Sequence, residues 1–287
     1  MARAAVGIDV GGTKLLMIAQ TEDREDLLTA RSTTGFDATA ADIEAAIRGF
    51  ITDQRLTPTS VGIAVPGFVA GGFVSDCDVV PGLTGWSGPA DLGAPLVLVH
   101  DIRSALAQEA AGLPEAATMV TVLCGTAVGS ACLHRGTVLR GARGWAGELG
   151  YLPIPTPSGI RRLDDLAGGA SLVQATGLRP AQIHAAHGEG DAAVVGAVTA
   201  AGEAFGLGLA TVVNLYNPDV VRIAGGTVNY PGYWDAALTA ARTHSIPDFW
   251  DACAVDLIKD PELVVARGAL RLADASRRGE TWIRQYT

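Results

Sequence analysis

AAVGIDVGGTKLLMIAQ, residues 4–20, sets two apolar runs on either side of Gly11-Gly12-Thr13. Apolar runs of strand length around a glycine turn predict a hairpin. The turn matches neither common nucleotide loop. A dinucleotide fingerprint needs G-x-G-x-x-G opening a helix, whereas the apolar run LLMIA follows here, and the P-loop pattern G-x-x-x-x-G-K-[ST] is absent. Gly11 and Gly12 are expected to take positive φ and let a ligand approach the backbone. Thr13 adds a hydroxyl and Lys14 a positive charge, a set suited to phosphate oxygens, although an ordinary Gly-Gly hairpin explains the segment equally well. Lys14 and Lys259 are the only lysines among 21 basic residues. Asp9, just before the turn, suits a hydrated Mg²⁺, which usually takes one or two carboxylates.

The pattern returns at residues 117–139, ATMVTVLCGTAVGSACLHRGTVL, with Gly125-Thr126 in the turn. This weak internal repeat predicts two similar lobes, each opening with a glycine-turn hairpin and each able to hold phosphate. Gly225-Gly226, after a strand at Val220–Ala224, would let an adenine or ribose lie close to the backbone. Between these landmarks, helix-like segments (about 39–54, 171–176, 191–216, 233–243, 262–278) mix with strands at 60–65 and 95–99. That alternation indicates α/β layering. Residues 152–160, LPIPTPSGI, read as a proline-rich connection.

Bulk properties narrow the function classes. A chain of 287 residues, 48% hydrophobic and 18% charged, is expected to fold into two packed lobes. With a net charge of −9 and no basic cluster, general nucleic-acid binding is not expected. No apolar run of membrane-spanning length is apparent, and the first strand begins too early for a signal peptide, so a cytoplasmic protein is expected. The four cysteines form no C-x-x-C pair, and Cys124 and Cys132 read as buried, inert thiols.

The stretch LVLVHDIRSALAQEAAG, residues 96–112, ends an apolar run in His100-Asp101 and then turns helix-like. If strand alternation runs through the pair, the two side chains face opposite ways and cannot readily form a dyad. Further ligands at metal spacing are missing. Asp101 as a helix N-cap explains the pair without any chemistry.

Taken together, GIDVGGTK (7–14), GIAVPG (62–67), LTGW (83–86), the Asp101 segment, CGTAVG (124–129), RGARGWAGELG (140–150), LAGG (166–169), VVNLYNPDVVRIAGG (212–226) and ARGALRLA (266–273) resemble the ROK family of sugar kinases and repressors. The resemblance implies an α/β, two-lobed actin-like ATPase (ribonuclease H-like) fold with an interlobe cleft. It implies one lobe over 1–112, joined by a C-terminal helix at about 266–287, and another over 113–265. It also implies ATP and Mg²⁺, a sugar or polyol acceptor, and a homodimer. By the same resemblance Asp101 is the general base. Gly11, Gly12, Thr13, Lys14, Gly125, Thr126, Gly225 and Gly226 hold ATP, and Gly67, His100, Asp101, Glu148, Tyr151 and Asp164 contact the acceptor.

The sequence leaves the family pattern on the acceptor side. His100 and Arg103 stand where relatives carry asparagines, and Gly82 where an asparagine precedes L-x-G-W. Tyr151 replaces a histidine that in relatives contacts sugar and ligates zinc, and PIPTPSGIRRLDD replaces the cysteine-rich zinc loop, so no zinc is expected. Asp164 replaces a glutamate. Lost hydrogen-bond partners discriminate strongly among hydroxylated substrates, so a modified hexose, amino sugar or cyclitol is expected over plain glucose. With the first strand beginning near residue 4, the repressors' DNA-binding domain is not expected. The alternatives are a non-catalytic sugar-binding or regulatory protein of the same fold, and an ATPase-like module acting on a macromolecule. Retention of Asp9, Lys14, Asp101 and Glu148 favours the kinase.

Overall fold

In β1 (Ala2–Val10) the even residues Ala4, Val6, Ile8 and Val10 are all fully buried on one face, which leaves Gly7 and Asp9 on the other. The computed structural model describes residues 1–287 and divides into two compact units. Unit 1 comprises 1–112, 140–145 and 262–287, and unit 2 comprises 113–139 and 146–261. Against the expected division at 112/113 and about 265/266, Arg140–Trp145 and residues 262–265 also group with unit 1.

After β1, unit 1 continues with β2 (Lys14–Thr21), β3 (Leu28–Thr33), α1 (Ala40–Asp53), β4 (Leu56–Val65), β5 (Phe68–Ala70), β6 (Phe73–Asp76), β7 (Leu96–His100) and α2 (Asp101–Glu109). Its sheet runs β3-β2-β1-β4-β7, with β1, β4 and β7 parallel and β2 antiparallel to both neighbours. Helix α1 starts at a capping box in which Thr39 Oγ1 accepts from Asp42 N at 3.3 Å and Asp42 Oδ2 accepts from Thr39 N at 2.9 Å. Its buried residues Ile43, Ile47 and Phe50 pack on the even face of β1.

Unit 2 contains β8 (Thr118–Cys124), β9 (Val128–His134), β10 (Thr137–Val138), a 3₁₀ turn at Leu149–Tyr151, β11 (Pro153–Thr156) and β12 (Gly159–Arg162). Then follow α3 (Asp164–Ala167), α4 (Gly169–Thr176), α5 (Pro180–Gly188), α6 (Ala192–Tyr216), β13 (Val220–Ala224), α7 (Tyr233–His244), α8 (Pro247–Ala252) and β14 (Ala254–Leu257). Its sheet, β10-β9-β8-β13-β14, repeats the order and strand senses of the first. The repeat in the sequence thus corresponds to β1–β2 and β8–β9, the same hairpin in each sheet.

Helix α9 (Val264–Arg277) returns to unit 1, where it lies on the Gly7 face of β1 and on β4. A Cβ at Gly62 in β4 would overlap the carbonyl of Ala269, and one at Gly7 the carbonyl of Ala266. Glycine is therefore what lets helix backbone touch sheet backbone here.

Two expectations need correction. Residues 152–160 are not an irregular connection: β11 and β12 pair as an antiparallel hairpin from Pro153↔Arg162 to Thr156↔Gly159. Its prolines fit because this two-stranded ribbon exposes edges on both sides. The expectation that no segment has the length and apolarity of a membrane span also fails. Helix α6 has 25 residues and a mean hydropathy of 1.6, enough by length and composition. Its buried stripe, including Val198, Phe205, Leu209 and Val212, belongs to the core of unit 2, which accounts for that apolarity.

Candidate active site

In unit 1 the candidate residues gather at the carboxyl ends of the three parallel strands: Asp9 at the end of β1, Gly67 after β4, and His100-Asp101 at the end of β7. Ligands commonly bind at this edge in open α/β sheets. The β1–β2 turn is closed by Gly11 N donating to Lys14 O (2.8 Å) and steadied by Thr34 Oγ1 donating to Gly11 O (2.6 Å). Gly12 and Thr13 donate their N–H groups to nothing within the chain, and Thr13 and Lys14 are exposed. Positive φ is not used at Gly11 or Gly12, contrary to expectation. Space is what matters at Gly12, where a Cβ would lie 2.5 Å from Val79.

His100 and Asp101 also differ from expectation. Strand alternation stops at His100, because Asp101 already opens α2. The change of backbone direction brings His100 Nδ1 within 3.5 Å of Asp101 Oδ1. Asp101 is not the N-cap: that position is His100, and Asp101 Oδ1 accepts from the Ile102 N–H at 2.6 Å. The carboxyl is packed round by protein, yet 27% of the side chain stays accessible. Desolvation raises its pKa to about 6 against the opposing pull of the Ile102 hydrogen bond. Asp9 is pushed up to about 7, first by desolvation and then by the charge of Asp101, while Lys14 lowers it.

An aromatic row flanks the pair. His100 stacks on Phe68 (centroids 6.1 Å apart), and Phe68 on Trp145 (4.5 Å). Phe68 had no signal in the sequence beyond following Pro66-Gly67. Arg103 is buried, not on the surface, and a Cβ at Gly144 would lie 4.0 Å from its guanidinium and 3.4 Å from that of Arg140. Trp86 is core, with Nε1 donating to Glu44 Oε1 at 2.9 Å. At Gly82 a Cβ would overlap the Ala38 carbonyl, so this backbone leaves no room for an asparagine there.

Unit 2 repeats the glycine-turn arrangement. Gly125 N donates to Ala127 O (3.0 Å), and the exposed Thr126 and Ala127 keep N–H groups with no partner in the chain. The turn's carbonyls face inward: Gly125 O accepts from Gly169 N (2.8 Å) and Thr227 Oγ1 (2.8 Å), and Thr126 O from Ala170 N (3.2 Å). The amino end of α4 is therefore spent on the turn. Gly225, at φ 126°, backs against Cys124, bringing the Gly225-Gly226 corner beside Gly125. Cys124 and Cys132 are buried, and desolvation pushes their thiols up to about 12 and about 11.

Elsewhere in unit 2, Glu148 is exposed just before the 3₁₀ turn. Tyr151 is 52% exposed, and the Arg162 guanidinium lies 4.2 Å over its ring, so hairpin β11–β12 is pinned where the zinc loop was expected to be missing. No group of three or more His, Cys, Asp or Glu side chains is placed to hold a metal. Asp164 is half-buried, with Oδ1 accepting from Val128 N at 2.6 Å.

The sequence model of the ROK family matches residues 5–275. The chain belongs to the ROK family. Within it, the chain is 28% identical over 278 residues to the bifunctional enzyme NanE/NanK of Brucella suis biovar 1, an alignment covering 90% of this chain and 51% of that protein. It thus spans about half the length of that relative. It is 26% identical over 275 residues to the beta-glucoside kinase of Klebsiella pneumoniae, covering 85% of this chain and 88% of that one. Its fold matches a ROK glucokinase from Streptomyces griseus, solved with glucose and AMPPNP. The TM-score is 0.77 at 21% identity, over 94% of this chain and 99% of that one. The α/β, two-lobed ROK architecture expected from the sequence is therefore the one observed.

A hydrated Mg²⁺ fits the ROK chain's donor set at Asp9. Asp9 and Asp101 are both desolvated carboxylates; the charge of Asp101 adds to the cost of ionising Asp9, and Lys14 opposes it. A cation at Asp9 would relieve that cost, and Mg²⁺, which usually takes only one or two carboxylates, suits it.

Proposed function

We propose that the protein is an ATP-dependent kinase that moves the γ-phosphoryl group to a hydroxyl of a sugar or sugar-like polyol, such as a hexose, amino sugar or cyclitol. The observation that carries this is Asp101: an accessible carboxylate at the end of β7, in the same unit as a turn whose Gly12 and Thr13 N–H groups and Lys14 ammonium stand ready for phosphate. Asp101 takes the proton as the acceptor oxygen bonds to phosphorus and the bridging oxygen leaves with ADP. Asp9 would hold Mg²⁺, which would supply positive charge against the phosphate oxygens. Gly11–Lys14, Gly125, Thr126, Gly225 and Gly226 bind ATP. His100, Glu148, Tyr151 and the Gly67 backbone bind the acceptor; the resemblance adds a homodimer, and the early first strand a cytoplasmic location.

Turnover of ATP against a panel of hexoses, amino sugars, N-acetylated sugars and cyclitols tests the proposal. A clear preference for a modified sugar or cyclitol over glucose is expected. Tight sugar binding without turnover of any polyol would replace it with the non-catalytic sugar-binding reading.

The pH dependence has a defined sign. Asp101 acts only when ionised and its pKa is about 6. At fixed, saturating Mg²⁺, kcat/KM is expected to be flat at high pH and to fall as pH drops through about 6. A profile flat down to the ordinary carboxylate range would remove Asp101 from the role of base.

A further inference from the structure

Asp164 is expected from the sequence to touch the acceptor, yet its carboxylate is turned into the chain. Oδ1 accepts from the Val128 N–H at 2.6 Å, at the end of the Gly125–Ala127 turn. A Cβ on Gly150 would overlap both carboxylate oxygens, so the group lies flat against the backbone of the 3₁₀ turn that follows Glu148. Its own carbonyl accepts from Gly168 N (3.2 Å), next to the Gly169 and Ala170 N–H groups that hold the carbonyls of Gly125 and Thr126. Asp164 thus links three segments: its side chain holds the end of the Gly125–Ala127 turn and packs on Gly150, and its backbone carbonyl holds the LAGG segment. Burial raises the pKa of this carboxyl and the Val128 hydrogen bond lowers it again.

We propose that Asp164 is a positioning residue for nucleotide binding: it fixes the Gly125–Val128 turn and is not a ligand of the acceptor. This rests on the kinase reading. With the Val128 N–H drawn inward, the turn's unpartnered donors are the N–H groups of Thr126 and Ala127, on an exposed loop with glycine at its base. Such a loop gains affinity when its bound conformation is held in advance, and a charge-assisted hydrogen bond is a strong way to hold it. A glutamate, longer by one methylene, would place its carboxylate elsewhere, so the aspartate at this position is what allows the backbone contact.

The test is calorimetric titration of Mg²⁺ and AMPPNP into the full-length protein with no acceptor present, for wild type, Asp164→Ala and Asp164→Asn. Amide exchange over residues 124–130 is followed in parallel. Asp164→Ala is expected to weaken AMPPNP binding about tenfold or more and to speed exchange at Val128. Asp164→Asn keeps an acceptor oxygen and is expected to restore both to within a few-fold of wild type. Unchanged AMPPNP affinity in Asp164→Ala, with only acceptor affinity lost, would overturn the proposal. So would an Asp164→Asn protein that keeps Val128 protected yet loses nucleotide, a reading that holds even if the alanine variant does not fold. Wild-type protein that binds no adenine nucleotide would instead overturn the kinase reading on which the proposal rests.

Discussion

Asp101→Asn is expected to lower kcat by about 10²–10⁴-fold while leaving acceptor and nucleotide binding within a few-fold of wild type. Asparagine has nearly the same shape, and its Oδ1 can still accept from the Ile102 N–H. Only the ability to take a proton is removed, so the loss should appear in single-turnover rate and not in KM. The same substitution should stabilise the protein. The folded-state pKa lies above the ordinary aspartate value, so the native chain binds the proton more tightly than the unfolded chain. Stability therefore falls as pH rises from about 4 through about 6, and the full penalty persists at pH 8. Allowing for the accessible part of the side chain, relieving it should gain about 1–2 kcal/mol, a rise of a few degrees in Tm in metal-free buffer. Near wild-type kcat in the variant would refute the base, and a lower Tm at pH 8 would refute the desolvation.

The largest effect on stability is expected from Gly62→Val. Gly62 lies in β4, between β1 and β7 in the sheet, and a Cβ there would overlap the carbonyl of Ala269 and approach its Cα to 3.1 Å. Both obstacles are backbone, so no rotamer change relieves the clash, and α9 must lift from the sheet. Overpacking a core usually costs about 1–3 kcal/mol. Displacing a helix that covers β1 and β4 should exceed that, reaching about 3–5 kcal/mol, a large part of a typical stability. Gly49→Ala in α1 is the control: no atom lies within 4 Å of the added Cβ, and a gain of about 0.5–1 kcal/mol is expected. Urea unfolding followed through the buried Trp86 of unit 1 measures both variants. Equal midpoints for Gly62→Val and wild type would show that α9 does not sit on β4 this closely.

What the sequence disclosed follows a physical pattern. The β1–β2 and β8–β9 hairpins were legible because a glycine turn between two apolar runs is a local signal. So were the carboxyl-end positions of Asp9, Gly125 and Gly225, which follow from where each strand stops. Hairpin β11–β12 was not legible, since prolines at 153, 155 and 157 argue against a strand and only an exposed ribbon tolerates them. The His100–Asp101 contact was missed because alternation holds within a strand and says nothing across a strand-to-helix junction. The Asp164–Val128 bond joins residues 36 positions apart, and nothing at either position announces it. The row His100–Phe68–Trp145 is likewise a product of tertiary packing.

The path of the chain through unit 1 bears on how the protein is made. In chain order α9, which covers Gly7 and Gly62, follows all of unit 2 and so leaves the ribosome after it. Until then one face of β1 and β4 has no cover. Unit 2, whose residues end at Pro261, can complete its own core while unit 1 still waits for α9. A chain truncated after Pro261 should therefore carry a protease-resistant unit 2 and an open, aggregation-prone unit 1.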